Sequence, residues 1–536
     1  MSVFSLDPNS GNPVTTAVVE ELCKDFGVSI DDEEKDVYRK LLGVFHDSAA
    51  ELMAMPDCIP QVDLERYPRE NIHFPEREDN THGAWAWKCS IRDKHRKQPG
   101  LLEGKKVALK DNISVKDVPM LMGTDFVKGY IPDTDATVVT RLLRAGAEIV
   151  GKAVCENMCH SATSHSAATG PVDNPYARGY SSGGSSSGSG VLVALGQVDM
   201  SIGADQGGSV RIPACNCGIV GLKPTFGLIP YTACGSNEPT NDHLGPMTRT
   251  VFENALLLQA VAGTDNIDDR GFAAPTPANV PEYGPILSNS EEPKNLSGLK
   301  VGIIAESLTG PVLDPRVKAT FLRAAESFAQ LGATVSEVSV PLHQKGPAIW
   351  TGVSKVGGYL AKSTGPFGRR GHQMVDLHSM MWPLKQENWD NAYVSSKNIY
   401  LNGAYAAKVF PQLLGKATNL SRMLRDAYDA VLEEYDVLIT PTLPYIATSH
   451  CAPDAGPLEQ IAKQVGLTTN TCQFNQTGHP ALTMPVGMLE ILEGPLKDTG
   501  TKLPVGLQII GKWWAEETIY KVAYAWELAN PGWKAM

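Results

Sequence analysis

The stretch VDMSIGADQGGSVRIPA, Val198 to Ala214, decides how the rest of this chain is read. Its first half, VDMSIGAD, reads as a strand whose C-terminal end runs into Asp-Gln-Gly-Gly-Ser. Two glycines without a Cβ let the chain turn sharply and let a ligand approach the backbone. Successive N–H groups aimed at one point are how main chain stabilises a developing oxyanion, which assigns that role to Gln206, Gly207, Gly208 and Ser209. Ser209 at the end of the run is the candidate nucleophile, and its hydroxyl needs a partner to take its proton. Reactive groups at strand ends belong to α/β sheets.

The neighbouring segments fit the same class. VALKDNI (Val107 to Ile113) reads as a strand running into a loop. DATVVTRLLRAG (Asp135 to Gly146) reads as a helix capped by Asp135 and stopped at glycine, and AEIVGKAV follows as a strand. GGSSSGSG (Gly183 to Gly190) leads into a helix over 187–196, slim enough to pack closely. Further on, LKVGIIAE, a helix over 314–331 and ATVSEVSVP form another β-α-β stretch. Residues 265–298, rich in Pro, Asn and Asp, read as a long surface excursion. Residues 343–415 hold many aromatics and glycines with little periodicity, and are where the chain could build its own substrate pocket or interface. At the N-terminus, 1–13 reads as an arm. Val37, Leu41, Val44, Phe45 and Leu52 share one helical face within 14–55, a layer expected to pack on the main body, and 56–82 reads as a wrapping connector.

Composition narrows the function classes. The formal net charge is −12, which argues against a nucleic-acid binder. No apolar run reaches the roughly 18 residues of a membrane span, and the opening MSVFSLDPNSGNP lacks a signal-peptide pattern. Ten cysteines in no repeating framework fit a reduced, cytoplasmic protein. Asn112-Ile113-Ser114 is a glycosylation acceptor pattern, harmless if the protein never meets that machinery or if the site is buried as it folds. Cys155, Cys159 and His160 lack a second ligand pair at zinc spacing, so no metal is expected, and no nucleotide or flavin motif implies a cofactor.

A Lys in VALKD, a Ser in a Gly-Ser loop and a Ser in DQGGS, in that order, resemble the amidase signature family. The likeness extends through GPVDNPY, CGIVGLKPTFG, DHLGPMTRT, PTLPY, TGHPALTMPVG and LPVGLQIIG, covering most of the chain from about residue 80 to 530. It is nearest to amidases linked to nitrile hydratases and to urethanases. The resemblance implies a single large α/β/α domain over 81–536 around a mixed, mainly parallel twisted sheet, preceded by the arm, helical layer and connector of 1–80. It also implies that Lys110 acts as base, Ser185 as proton relay and Ser209 as nucleophile, with a cis peptide at Gly184–Ser185. Asp205 and Arg211 brace the loop as an ion pair. Cys159 and Ser185 fall where relatives line the acyl pocket; Phe474 and His479 are weaker candidates, better read as core or loop residues.

The expected substrate is a small-molecule amide or carbamate, with no nucleic-acid or membrane partner and a homodimer left open. Two other readings stand beside it. One is the glutamine-hydrolysing subunit of a tRNA-dependent amidotransferase, which shares the triad. The other is a silent binding protein on the same fold, since fold does not imply function.

Overall fold

A computed structural model describes residues 5–365 and 368–535. The chain forms two compact units, one ending at Pro60 and one beginning at Gln61.

The first unit carries two helices, Thr16–Phe26 and Asp32–Ala54. Gly27 closes the first in the left-handed conformation, φ 72°. Asp31 caps the second, accepting from the Glu34 N–H at 2.8 Å. The stripe read from the sequence is only partly buried. Val44 is inside, whereas Val37, Phe45 and Leu52 are 52 %, 68 % and 67 % exposed.

In the second unit, the described residues form one twelve-stranded sheet. In chain order its strands are β1 (Glu70–His73), β2 (Trp85–Ile91), β3 (Lys106–Lys110), β4 (Glu148–Ala153), β5 (Met200–Asp205), β6 (Val220–Lys223), β7 (His243–Thr248), β8 (Lys300–Ile304), β9 (Thr334–Val338), β10 (Val437–Pro441), β11 (Ala481–Glu490) and β12 (Lys502–Gly511). Their order across the sheet is β1-β2-β4-β3-β5-β7-β6-β11-β12-β10-β8-β9. The expected connector thus contains β1, which pairs antiparallel with β2.

Side chains alternate across this sheet as strand geometry requires. Val107 and Leu109 enter one core with Val301, Ile303 and Ile439, while Ala108 points to the opposite face. Helices Thr137–Arg144, Val251–Val261, Pro315–Gln330 and Glu516–Ala529 feed the first core. On the other face lie Ser187–Ala194 and, farther along, Leu413–Leu432. This is the α/β/α arrangement expected. The slim helix is needed where it stands: a Cβ on Gly188 would collide with the Ala84 carbonyl.

Four expectations need correction. The sheet is mixed but not mainly parallel. Parallel pairing joins β4-β3-β5 and β10-β8-β9, where helices cross over, and the remaining pairings are antiparallel. Asp135 does not cap its helix, because its carboxylate is taken by Arg69 and the Lys116 N–H, and Ala136 occupies the cap position. The excursion over 265–298 is not wholly superficial, since helix Tyr283–Ser288 buries Tyr283 and Leu287. The segment without clear periodicity is largely helical, including Gly346–Ser363 and Val394–Val409.

Candidate active site

Strand register brings the first two functional segments together. β3 and β5 are parallel neighbours, with Val107 beside Met200 and Leu109 beside Ile202. Their C-terminal ends therefore deliver Lys110 and the Asp205–Ser209 loop to the same edge of the sheet. β4 ends beside them, with Ala153 paired to Lys110, and leads to Cys155 and Cys159.

Lys110 is fully buried, and its Nζ lies 2.8 Å from Ser185 Oγ and 3.1 Å from the Ala204 carbonyl oxygen. Among the described residues it has no ion-pair partner. The adjacent carboxylate, Asp111, is held instead by Lys152 at 3.1 Å and by the N–H groups of Leu121 and Met122. The Gly184–Ser185 peptide is cis. The two serine loops are tied directly, the Ser186 N–H donating to the Ser209 carbonyl at 3.2 Å.

The Asp205–Arg211 turn is a buried electrostatic clamp. Arg211 Nη2 and Asp205 Oδ1 are 2.9 Å apart, and neither side chain meets solvent. Arg211 also donates to Thr471 O, Gln508 Oε1 and Asn475 Oδ1. Burial pushes the Asp205 carboxyl upward, but Arg211 and the donors around it outweigh burial and hold it well below the usual carboxylate range. The bracing pair is therefore present.

One oxyanion-hole assignment needs correction. The Gly208 N–H already donates to Asp205 Oδ1 at 2.8 Å, so that donor braces the loop. Among the described residues the N–H groups of Gln206, Gly207 and Ser209 have no internal acceptor. Both glycines are required by space. Gly208 has φ 135°, and a Cβ on Gly207 would lie 2.6 Å from Trp350 Cζ2.

Ser209 opens on a cavity of about 220 Å³. Cys159 lines it, as expected, whereas Ser185 lies behind, fully buried. The hydrogen bond with the neighbouring Cys155 outweighs burial and lowers the Cys159 thiol to about 7. Phe474 and His479 belong elsewhere, Phe474 in a core cluster and His479 bonded to Asp429 at 2.9 Å. His165 and His243 do not line the cavity; His243 Nδ1 is bonded to the Asn241 carbonyl. The described residues contain no group of three or more His, Cys, Asp or Glu able to hold a metal ion, and no described helix is long and apolar enough to cross a membrane.

Sequence reasoning missed the opposite wall. Trp350 on helix Gly346–Ser363 donates its Nε1–H to the Gln206 carbonyl at 2.8 Å. Lys355 on the same helix and Asn398 and Ile399 on helix Val394–Val409 reach the cavity as well. Their only sequence signal was the richness of 343–415 in aromatics.

The likeness to known proteins extends over most of the chain. The amidase family model matches residues 80–520. An enantioselective amidase of Rhodococcus rhodochrous is 39 % identical over 465 residues, covering 83 % of each chain. A glutamyl-tRNA(Gln) amidotransferase subunit from a Cyanothece strain is 33 % identical over 437 residues, covering 81 % of this chain and 85 % of its own. Among solved structures, 6-aminohexanoate cyclic dimer hydrolase complexed with substrate superposes with a TM-score of 0.66 at 26 % identity, covering 80 % of this chain and 86 % of that one. With its family model matched over most of its length, the chain belongs to the amidase signature family, whose enzymes hydrolyse the C–N bonds of amides.

Proposed function

We propose that this protein hydrolyses small-molecule amides, or the analogous carbamates, through an acyl-enzyme on Ser209. The observation that carries the reading is the 2.8 Å approach of Lys110 Nζ to Ser185 Oγ, in a loop bonded to the Ser209 backbone. In its neutral form Lys110 keeps two N–H bonds, one directed at the Ala204 carbonyl, and has a lone pair for the Ser185 hydroxyl proton.

As Ser209 Oγ attacks the carbonyl carbon, its proton passes to Ser185 Oγ, whose own proton passes to Lys110. The N–H groups of Gln206, Gly207 and Ser209 stabilise the oxyanion. The proton returns by the same route to the departing nitrogen as the C–N bond breaks. Water then attacks the Ser209 ester, and the acid leaves with Ser209 restored.

A second reading, a glutamine-hydrolysing subunit, draws support from the 33 % identical amidotransferase relative. Ammonia or amine release by the purified protein separates the two. Propionamide, benzamide, ethyl carbamate, an anilide and glutamine form the panel, with Ser209→Ala as blank. Turnover of amides or carbamates that is lost in Ser209→Ala is the expected result. Turnover of glutamine alone, with glutaramate and adipamate left intact, favours the second reading, and no turnover of any member or of those half-amides sinks the hydrolase reading.

A further inference from the structure

The cavity in front of Ser209 is apolar on some sides and unusually rich in donors on others. Lys355 reaches it from helix Gly346–Ser363, half-buried, and burial lowers its ammonium below the ordinary lysine range. Among the described residues no carboxylate pairs with Lys355. Glu238 also lines the cavity, but its carboxyl is engaged by the Thr240 hydroxyl and N–H, at 2.6 and 3.1 Å. Burial pushes Glu238 up to about 7, so part of its population is neutral at neutral pH.

Several polar atoms in the same cavity lack an internal partner among the described residues. The donors among them are Ser354 Oγ, Ser395 Oγ, Gln464 Nε2, His160 Nε2 and Asn241 Nδ2, and beside them stand two acceptors, Gln206 Oε1 and Asn241 Oδ1. Ser395 is 5 % exposed, so its hydroxyl has little access to water. Burial first, then the positive charges of Lys362 and Lys355, hold the His160 imidazole well below its ordinary range. His160 is therefore neutral at pH 7 and able to donate from one nitrogen. An ammonium, two hydroxyls, an amide NH₂ and an imidazole are a set suited to an acceptor-rich, negatively charged group. Buried polar groups without partners are costly, and a ligand that pairs with them recovers that cost.

Resting on the Ser209 hydrolase reading, we propose that the preferred substrates are amides bearing a carboxylate remote from the scissile carbonyl, held by Lys355 with Ser354, Ser395, Gln464 and His160 as the available donors. Ile212, Ile399 and Ile461 supply apolar surface for the hydrocarbon spacer. Such substrates are half-amides of dicarboxylic acids, and hydrolysis yields the diacid and ammonia or an amine.

The test is a matched series of primary amides: succinamate, glutaramate and adipamate against butyramide, valeramide and hexanamide. At least one carboxylate is expected to exceed its methyl-ended counterpart ten-fold or more in kcat/KM. Lys355→Met is expected to erase that ratio, and Lys355→Arg to keep most of it. No preference in the series, or a preference that Lys355→Met leaves intact, overturns the proposal.

Calorimetry on Ser209→Ala separates this failure from failure of the hydrolase reading. If no amide is turned over but adipamate binds Ser209→Ala and not the Ser209→Ala, Lys355→Met double variant, the carboxylate site stands and the hydrolase reading falls. Turnover of the neutral amides with no carboxylate preference leaves the hydrolase reading standing and removes the Lys355 assignment.

Discussion

The loop Asp205–Arg211 and the helix Gly346–Ser363 meet at one cavity but are built on different principles. In the loop, main chain is the proposed agent: Gln206, Gly207 and Ser209 line the cavity, glycines make room, and a buried ion pair with Asn475, Thr471 and Gln508 fixes the turn. In the helix, side chains do it, and Trp350, Ser354 and Lys355 project from one regular backbone. A backbone site tolerates few residue types at each position. A side-chain wall can be rebuilt residue by residue without disturbing the fold. On the proposed mechanism, reaction type belongs to the loop and substrate choice to the helix.

The sharpest way to break this division is to damage each side separately. Ser209→Ala is expected to lower kcat by about 10⁴-fold or more, whatever the amide, because the proposed nucleophile would be shared by all substrates. Ammonia release over the panel measures it; a loss confined to one substrate class would move Ser209 out of the chemistry.

Next in size is Asp205→Asn, which leaves the Arg211 guanidinium buried and uncompensated at a cost of about 3–5 kcal/mol, read by urea unfolding. The same carboxyl sets an acid limit. Its folded value lies below the unfolded value of about 3.9, so its stabilisation is present above about pH 4 and is lost as pH falls from there toward the folded value. Unfolding midpoints measured from pH 6 to 3 should fall more steeply for the native chain than for Asp205→Asn. Parallel curves would show that this pair is not what acid attacks.

The same contrast explains what was legible in the sequence. Ser209 could be read because a strand end and a glycine turn demand particular residues in a short space, whereas Lys110, Ser185 and the Asp205–Arg211 pair were legible only through the resemblance to a known family. The β-α-β segments around β3–β5 and β8–β9 could be read because apolar periodicity is local. Strand direction across the sheet could not, because β11 and β12 choose their neighbours through contacts far apart in sequence. Asp135 looked like a cap until Arg69, distant in sequence, claimed its carboxylate. Helix Gly346–Ser363 was hidden because Gly352, Gly357 and Gly358 stand on its buried face and thin the apolar stripe of Ile349, Val353 and Val356 that would have revealed it. At the N-terminus the pattern was real, yet a shared face on a helix did not entail burial, as Phe45 shows.

Where the two walls touch, a smaller effect tests whether they are separable. Trp350→Phe removes the 2.8 Å bond to the Gln206 carbonyl, a net contribution of about 0.5–1.5 kcal/mol, or up to roughly ten-fold in kcat/KM if that carbonyl orients the adjoining N–H groups. Gly207→Ala alone should cost more, because its Cβ meets the Trp350 ring at 2.6 Å and overpacking costs about 1–3 kcal/mol. Phenylalanine lacks the six-membered ring's outer edge at that point, so Gly207→Ala should be less damaging in the Trp350→Phe background. A double-mutant cycle in kcat/KM reads the coupling, and strict additivity would mean that the loop relaxes away from the ring.

The smallest expected effect is the most informative about specificity. Ile399 is 3 % exposed and lines the cavity from helix Val394–Val409. Ile399→Val removes one methylene, which changes discrimination between two amides by about ten-fold, the low end of what one methylene is worth in an apolar pocket. The kcat for the smallest amide should stay nearly unchanged, while kcat/KM for a longer amide shifts, because the altered surface touches the acyl chain and not the reacting carbonyl. If Ile399→Val instead lowers kcat equally for short and long amides, that side chain positions the loop, and the division between a chemical wall and a recognition wall fails at this residue.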